Sequence, residues 1–297
     1  MAYDTYTAVG NIPDYSTLLT MLEPDENPFI SVCGEAKFTA TNPKWECDAL
    51  QAPVDNAQIE GFTYNPTNAP NLTEYNNYTQ IMTKAYKVTG SQEAANTAGV
   101  PSNIGHAQDN AMREFKQDME YSVINQATAV AGAAGVTARR SGGYQYFMNT
   151  YAASNVLANS GTARAWTEDL LNDALQVGWN AGGNPKTVMV SGKVKRLTSK
   201  FSGNSMKTVD AKTKTLYAAI DNYQSDFGPV NIIPNRQLPN TMAFIFNPNY
   251  IDVGWYRRIF KDPQPKTGDF QAFNLVGEWA LKVRAANAGA LVKDLNP

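Results

Sequence analysis

The chain has 297 residues, of which 43% are hydrophobic and 18% are charged, and its formal net charge is −2. A chain of this length that folds as one globule buries roughly 75% of its unfolded surface, so its size allows one large domain or two small ones. The near balance of charge argues against a broad basic surface for nucleic acid. Because His106 is the only histidine, any site that needs two histidines from one chain is excluded.

The two cysteines, Cys33 and Cys47, are not in a CxxC arrangement, and a metal site would need His106 or carboxylates to complete it. No secretion signal precedes them, so we expect free thiols rather than a disulfide. The N-terminus lacks the basic region and apolar run of a signal peptide, and no stretch approaches the ~18 apolar residues of a membrane span. These features predict a chain made in a cytoplasm, without a metal, a cofactor or a membrane partner.

An arm and an extended hairpin are predicted in the first third of the chain. Residues 1–35 are polar and irregular apart from one short helical pattern that Pro24 ends. Alternating residues at 37–40 and 44–50, and again at 75–82, indicate strands on either side of a loop rich in Pro and Asn. Each side of about twenty residues would reach ~66 Å. Such a hairpin cannot fold back entirely onto its own chain, so we expect it to lie on something else.

The strongest helical pattern begins after residues 101–103. Apolar residues recur at three- and four-residue steps from Ile104 to Val123, and the pattern fades through Ala131 to Gly132. It predicts a helix over about 103–131, long enough to act as the spine of a domain. Lys116 and Glu120, four residues apart, are expected on its solvent face.

Alternating helices and strands predict a compact α/β region from about 163 to 262. A helix is expected to open at 167–169 and to end at 182–183, before a buried strand at 187–191. The remaining predicted elements are a helix at 193–201, apolar segments at 216–221, 228–234 and 242–246, and a long amphipathic strand at 276–284.

His106 is the natural first candidate for catalysis, as the base of a triad with Cys33, Cys47 or a serine. It lies in the first turn of the predicted spine helix, and no nucleophile motif, phosphate-binding loop or dinucleotide loop occurs in the chain. We therefore interpret His106 as an exposed or capping polar residue. No catalytic residue is predicted.

Basic residues cluster at three places in the chain. The lysines and arginine at 193–200 suit a solvated helix face, and Arg139 with Arg140 could touch phosphate. Arg257 and Arg258 follow Trp255 and Tyr256, which suits either a contact between subunits or the end of an amphipathic helix.

Aromatic and amide residues are frequent in the arm and hairpin. Exposed aromatic rings with amides could bind sugars, but Tyr and Trp are also typical anchors of protein interfaces. Because the arm and hairpin cannot bury themselves, we favour contacts between subunits. The candidate contact residues are Tyr15, Leu18, Phe29, Trp45, Phe62, Tyr64, Tyr75, Tyr78, Trp255, Arg257 and Arg258.

The order of these parts resembles the major capsid proteins of tailed bacteriophages with the Hong Kong 97-type fold. The order is an N-terminal arm, a long hairpin, a spine helix, a compact α/β region and a final long strand. Local sequence adds to the resemblance at residues 5–11, at Pro28, Phe29 and Gly34, and at residues 44–48, 56–61, 230–236, 266–269 and 277–281.

The resemblance implies an α+β fold whose segments have known roles. Residues 1–35 would be the N-terminal arm, and 36–82 would be the hairpin called the E-loop, lying over the adjacent subunit. Residues 83–162 would form the peripheral domain with the spine helix, and 163–265 the axial domain around five- and six-fold axes. Residues 266–297 would return to the peripheral domain. The lysine, asparagine and glutamate of the covalent cross-link in the type member have no assigned counterparts here, so we expect non-covalent assembly.

The same resemblance implies a structural protein rather than an enzyme. Copies would assemble into pentamers and hexamers of an icosahedral head around double-stranded DNA, which would touch the inner face without specificity. Portal, scaffolding and decoration proteins are possible partners, and any scaffold would be a separate protein or an unseen leader. Assembly would take place in the bacterial cytoplasm before maturation. Two alternatives stay open: an encapsulin-like compartment with an enzyme cargo, and a carbohydrate-binding module or hydrolase.

Overall fold

A computed structural model describes residues 26–48, 50, 53–63, 72–95, 97, 100–201 and 222–296. Its helices are α1 (Pro28–Val32), α2 (Gly90–Ala94), α3 (Asn103–Asn125), α4 (Tyr144–Tyr151), α5 (Glu168–Asn180) and α6 (Gly192–Thr198). Its strands are β1 (Gly34–Lys37), β2 (Lys44–Cys47), β3 (Thr73–Asn76), β4 (Gln80–Thr89), β5 (Val156–Leu157), β6 (Thr187–Val190), β7 (Asn222–Ser225), β8 (Gly228–Pro234), β9 (Ala243–Phe246), β10 (Ile251–Pro263), β11 (Phe270–Val283) and β12 (Ala290–Val292).

In the described part of the chain these strands form three sheets. Four strands pair in the order β1-β10-β11-β4, six in the order β5-β12-β9-β6-β8-β7, and two as β2-β3. β6 runs parallel to β8 and antiparallel to β9, so the six-stranded sheet is mixed. The combination of helices with separate sheets agrees with the predicted α+β class.

The six-stranded sheet carries a large apolar core. All four residues of β6 and all four of β9 are buried, as expected of central strands with both faces covered. α5 contributes its apolar face, including Leu171 and Leu175, to the same core. Its first turn is capped by Thr167, whose side chain accepts a hydrogen bond from the backbone N–H of Leu170. The predicted start of this helix and the predicted strand after it are both confirmed.

The chain end enters this same sheet. β12 lies between β5 and β9, pairing Leu291 with both Val156 and Phe244. The segment 266–297, predicted as one return strand, therefore contributes β11 to the four-stranded sheet and β12 to the six-stranded sheet.

Two compact units can be distinguished among the described residues. One contains Thr83–Lys116 and Ile259–Val276, and the other contains Glu26–Met82, Gln117–Arg258 and Gly277–Pro297. In the first unit, Lys261 Nζ lies 3.8 Å from the centre of the Phe273 ring and donates a hydrogen bond to Gln108. The predicted domain boundaries stay a prediction.

The spine helix is shorter than predicted. α3 ends at Asn125, whose side chain donates to the carbonyl of Tyr121 in its last turn. Beyond it Gln126 accepts a hydrogen bond from Gly143, and Val130 pairs with Arg140 across an antiparallel bridge. These backbone bonds replace helical ones, so the pattern that fades toward Ala131 does not continue the helix.

The predicted strand over 75–82 is interrupted, because β3 and β4 belong to different sheets. At the break the amide of Asn77 is fully buried and donates to the carbonyls of Gly142 and Leu281. Its carbonyl oxygen accepts from the backbone of Gly142 and of Tyr78. A buried asparagine that forms hydrogen bonds with four backbone groups fixes the turn between the two strands.

The other differences are local. α6 is confirmed as a helix, but it begins at Gly192 and ends at Thr198. The apolar segment at 216–221 lies outside the described residues. Residues 255–258 lie within β10, so the interpretation of Arg257 and Arg258 as a helix end is wrong. Extended backbone suits Trp255 and Tyr256, because aromatic residues are enriched in strands.

Candidate functional site

The described residues between β2 and β3 include five exposed large apolar side chains. The two strands pair antiparallel, from Lys44 opposite Asn76 to Cys47 opposite Thr73. Every residue of 53–63, which we call the exposed loop, is exposed. Apolar side chains in and beside it keep half or more of their surface open, namely Leu50 at 96%, Val54 at 79%, Ile59 at 81%, Phe62 at 51% and Leu72 at 53%.

The base of this hairpin is firmly held in its own unit. Trp45 Nε1 donates to the carbonyl of Val283 at 2.9 Å. The Trp45 ring stacks on Tyr75 at 6.3 Å between ring centres and on Phe38 at 6.5 Å. The ammonium group of Lys282 lies over the same indole. Because these aromatic faces stack on each other, they are not open platforms for a sugar.

The aromatic contact candidates fall into three groups. Phe29 and Tyr75 are buried in this chain, and Trp45, Tyr78 and Trp255 are partly buried. Phe62 lies in the exposed loop. Tyr15, Leu18 and Tyr64 lie outside the described residues. Contacts with other copies stay a prediction for all of them, and among those described Phe62 is the best placed.

Phe29 is packed entirely inside its own unit. Its ring lies 5.0 Å from Phe246, 6.1 Å from Tyr144 and 6.4 Å from Phe244, measured between ring centres. This packing accounts for a large aromatic residue at this position without a partner subunit.

Replacing Phe29 by leucine is expected to lower the free energy of unfolding of the unassembled subunit by about 1–2 kcal/mol, because the smaller side chain leaves part of the ring's space unfilled. Urea denaturation followed by circular dichroism measures the change. The exposed Phe62→Leu is the matched control and should leave the unfolding midpoint unchanged. Equal effects of the two changes would contradict the internal role of Phe29.

The two candidate arginines form ion pairs within their own unit. Arg257 Nε donates to Glu278 Oε2 at 2.9 Å, and Arg258 Nη2 donates to Glu35 Oε2 at 2.8 Å. The pair of Arg258 with Glu35 is exposed on both sides and contributes little to stability. The pair of Arg257 involves a carboxylate that is only 2% exposed.

Glu278 is the centre of a buried polar cluster that the sequence did not reveal. Besides Arg257, its carboxylate accepts a hydrogen bond from Arg139 Nη2 at 2.7 Å and from the Thr79 hydroxyl at 2.7 Å. Thr79 lies in the break between β3 and β4, and Arg139 lies in the segment that follows α3. One carboxylate on β11 therefore connects the hairpin base to β10 and to this segment.

Glu120 is a second buried carboxylate, and its predicted position on the solvent face of the spine helix is wrong. It is fully buried on α3 and accepts hydrogen bonds from the backbone N–H groups of Phe29 and Ile30 at 2.8 and 2.9 Å. Asn235 donates a third, at 2.6 Å. Burial raises the pKa of Glu120, and the three hydrogen bonds partly oppose that rise. The four-residue spacing from Lys116 is typical of an exposed pair and hid this role.

Titratable groups do not gather into a reactive centre within the described residues. Burial, with the nearby charges of Glu120 and Asp252, raises the pKa of the Cys33 thiol, which makes it less reactive. Cys33 and Cys47 are both free, and His106 lies 3.1 Å from the amide of Asn110 in α3. No group of three His, Cys, Asp or Glu side chains there could hold a metal ion. None of the described helices is long and apolar enough to cross a membrane.

Comparison with known families agrees with this architecture. The family model of the SU10 major capsid protein matches residues 2–296. The chain belongs to this family. The major capsid protein of Escherichia phage Phieco32 is similar, with 22% identity over an alignment 344 residues long. That alignment covers 97% of this chain and 95% of that protein. This SU10-family chain is therefore a phage major capsid protein, a component of the virion shell.

Solved structures confirm the fold predicted from the order of segments. A chain of the cyanophage A-1(L) capsid asymmetric unit is similar with a TM-score of 0.68 and 12% identity, covering 99% of each chain. The α+β, Hong Kong 97-type fold of this SU10-family chain is thus established. An encapsulin complex from Synechococcus elongatus has a chain of the same fold, with a TM-score of 0.58, 11% identity and coverage of 97% and 92%. At such identities the two likenesses show the fold alone.

Proposed function

We propose that this capsid protein assembles into pentamers and hexamers of an icosahedral head that encloses double-stranded DNA. The observation that carries the proposal is the exposed loop and its flanks, whose apolar side chains this chain leaves uncovered. Fully burying one such side chain contributes about 1.5–3 kcal/mol. A neighbouring subunit that covers several of them supplies a substantial part of the association energy.

Ring closure also agrees with this surface. In a ring of identical subunits each copy contacts the next head to tail, so one surface of a subunit meets a different surface of its neighbour. A loop that is held at its base by Trp45 and whose residues 53–63 are all exposed is suited to one side of such a contact. The work of the protein is then assembly rather than catalysis.

Deleting residues 53–72 is expected to give a folded subunit that does not form stable shells. Cys47 and Thr73 lie opposite each other at the ends of β2 and β3, so the five residues that remain between them can close the hairpin. The removed segment contains Val54, Ile59, Phe62 and Leu72, so the apolar surface available to a neighbour falls sharply. Electron microscopy and sedimentation of the purified protein measure assembly, and circular dichroism measures the fold.

The matched control keeps the loop length and replaces residues 53–63 by a Gly/Ser sequence of eleven residues. It should also fail to assemble, because the loop then lacks Val54, Ile59 and Phe62 and buries much less apolar surface on a neighbour. Shells of normal yield and stability from either variant would contradict the proposal. If the unchanged protein remains monomeric under all assembly conditions, the shell function itself is wrong.

The contents of the particles separate the phage head from the encapsulin-like alternative. We expect purified particles to contain nuclease-protected double-stranded DNA rather than an enzyme cargo. The net charge of −2 suits weak contacts with DNA, without the strong salt dependence of a basic binding surface. Portal, scaffolding and decoration proteins would join copies of this chain in the bacterial cytoplasm, where the head forms.

A further inference from the structure

The Glu278 cluster holds more positive than negative charge. Arg139 and Arg257, which we call the arginine pair, share the single buried carboxylate of Glu278. Their side chains are 27% and 44% exposed. Each guanidinium carries five N–H donors, and the bond to Glu278 uses one nitrogen of each. Within the described residues neither arginine has another ion-pair partner, so one positive charge and several donors remain for an anion.

Burial of Glu278 makes this an organised site rather than two mobile side chains. A carboxylate that accepts from both arginines and from Thr79 fixes the inner face of each guanidinium. Donors that are already in place lose less conformational entropy when a ligand binds. Arginine is also the residue that recognises carboxylates through paired N–H groups. The chemistry of the site therefore suits a carboxylate ligand.

The exposed loop carries carboxylates of the kind this site would accept. Asp55 and Glu60 are its only charged residues, so the loop has two negative charges and no positive one. Both side chains are exposed, and none of residues 53–63 is covered by its own chain. An acidic, uncovered loop and an incompletely neutralised arginine pair on the same chain are complementary surfaces, which is the arrangement that a head-to-tail contact between identical copies requires.

We infer that Asp55 and Glu60 of one subunit dock on the arginine pair of a neighbouring copy. The inference rests on the proposed assembly function and adds the surface that receives the loop. Apolar burial of Val54, Ile59 and Phe62 supplies most of the affinity. The two carboxylates set the register of the loop on its neighbour, because a carboxylate placed away from the guanidinium groups is desolvated without compensation.

The test is a charge exchange between loop and site. We expect D55K/E60K to reduce the yield of shells about tenfold or more, since lysines then face arginines. R257E alone is expected to reduce the yield in the same way. In D55K/E60K/R257E the loop lysines meet a carboxylate again, so assembly should return to within about threefold of the unchanged protein. Shell yield is measured by sedimentation and electron microscopy.

Arg258 provides the matched control. It is adjacent to Arg257 but points to the opposite face of β10, where it pairs with Glu35. R258E makes the same change in charge, so it should not rescue D55K/E60K. Equal rescue by R258E, or no rescue by R257E, overturns the inference.

Two further outcomes also decide the matter. Normal shells from D55K/E60K would overturn the docking of the loop while leaving the shell function intact. Normal shells from R257E that retain less DNA would overturn it as well, because the arginine pair would then bind phosphate.

If R257E does not fold by circular dichroism, R257Q and D55N/E60Q are combined in a double-mutant cycle. Additive effects on shell yield in that cycle contradict the inference, and strongly non-additive effects support it.

Discussion

Glu120→Ala is expected to lower the free energy of unfolding of the unassembled subunit by about 2–4 kcal/mol, because a buried donor that loses its acceptor costs about 1–3 kcal/mol. The change leaves the backbone N–H groups of Phe29 and Ile30 and the amide of Asn235 without their shared acceptor. It also leaves a space on the buried face of α3. Urea denaturation of the subunit under conditions that prevent assembly measures the loss.

Two matched variants sharpen this result. Glu114 lies on the same helix, and its side chain is 57% exposed, with Oε2 3.5 Å from Lys84 Nζ. Glu114→Ala should therefore lower the free energy of unfolding by no more than about 1 kcal/mol. Glu120→Gln keeps the shape and one acceptor, so its effect should fall between those of the two alanine variants. If E120A were as stable as E114A, Glu120 would not be holding α1 and Asn235 to the spine helix.

The pH dependence of the Glu120 variants follows from the direction of the pKa shift. Burial raises the pKa of Glu120 above its unfolded value. The folded state therefore binds a proton on Glu120 more readily than the unfolded state does. Protonation of Glu120 thus stabilises the folded state, and this stabilisation is lost as the pH rises through the pKa of the folded state. Glutamine carries no titrating proton. The stability of the unchanged subunit relative to E120Q should thus fall as the pH rises above the ordinary glutamate pKa of 4.5, and a rise with pH over that range would contradict the assigned direction.

Secondary structure was predictable where local chemistry and tertiary packing agree. The helix at Glu168–Asn180 has its N-cap Thr167, an acidic first turn and an apolar stripe, and each of these signals can be read from neighbouring residues. The strand at Thr187–Val190 is a short apolar run between breakers and is buried on both faces. The order of segments was also sufficient to indicate the fold, because that order is specific even where each motif is weak.

The buried polar residues were not predictable in the same way, because their partners are distant in the chain. Asn77 interrupts an otherwise plausible strand through hydrogen bonds to Gly142 and Leu281. Glu120 receives its hydrogen bonds from residues about 90 and 115 positions away. Helical periodicity groups residues by face but does not show which face of the helix is exposed to solvent. A charged residue is normally taken to mark the exposed face, and Glu120 is an exception. Arg257 was predicted as a contact between subunits, which stays a prediction, and its ion pair with Glu278 within the chain was not predicted.

Glu278→Ala is expected to destabilise the unassembled subunit by about 3–5 kcal/mol, the cost of breaking a buried ion pair by removing one partner. The carboxylate is only 2% exposed and compensates two guanidinium groups at 2.7 and 2.9 Å. Its removal leaves Arg139 and Arg257 close together without a counter-charge and leaves the Thr79 hydroxyl without its acceptor. Thr79 lies at the base of the hairpin, so the loss of order should begin there. Hydrogen exchange of β3 and β4, measured together with urea denaturation, follows both effects.

The control for Glu278 is Glu35→Ala, which removes the partner of Arg258 from a pair whose two side chains are 63% and 75% exposed. Its cost should stay below about 1 kcal/mol, because water replaces the lost partner. The double variant E278Q/R139Q tests the charge argument directly. In E278Q the two guanidinium groups repel each other without a counter-charge, whereas E278Q/R139Q keeps only one of them. The double variant should therefore be more stable than E278Q alone. If it is less stable, Glu278 acts through packing rather than as the shared counter-charge that holds the arginine pair in place.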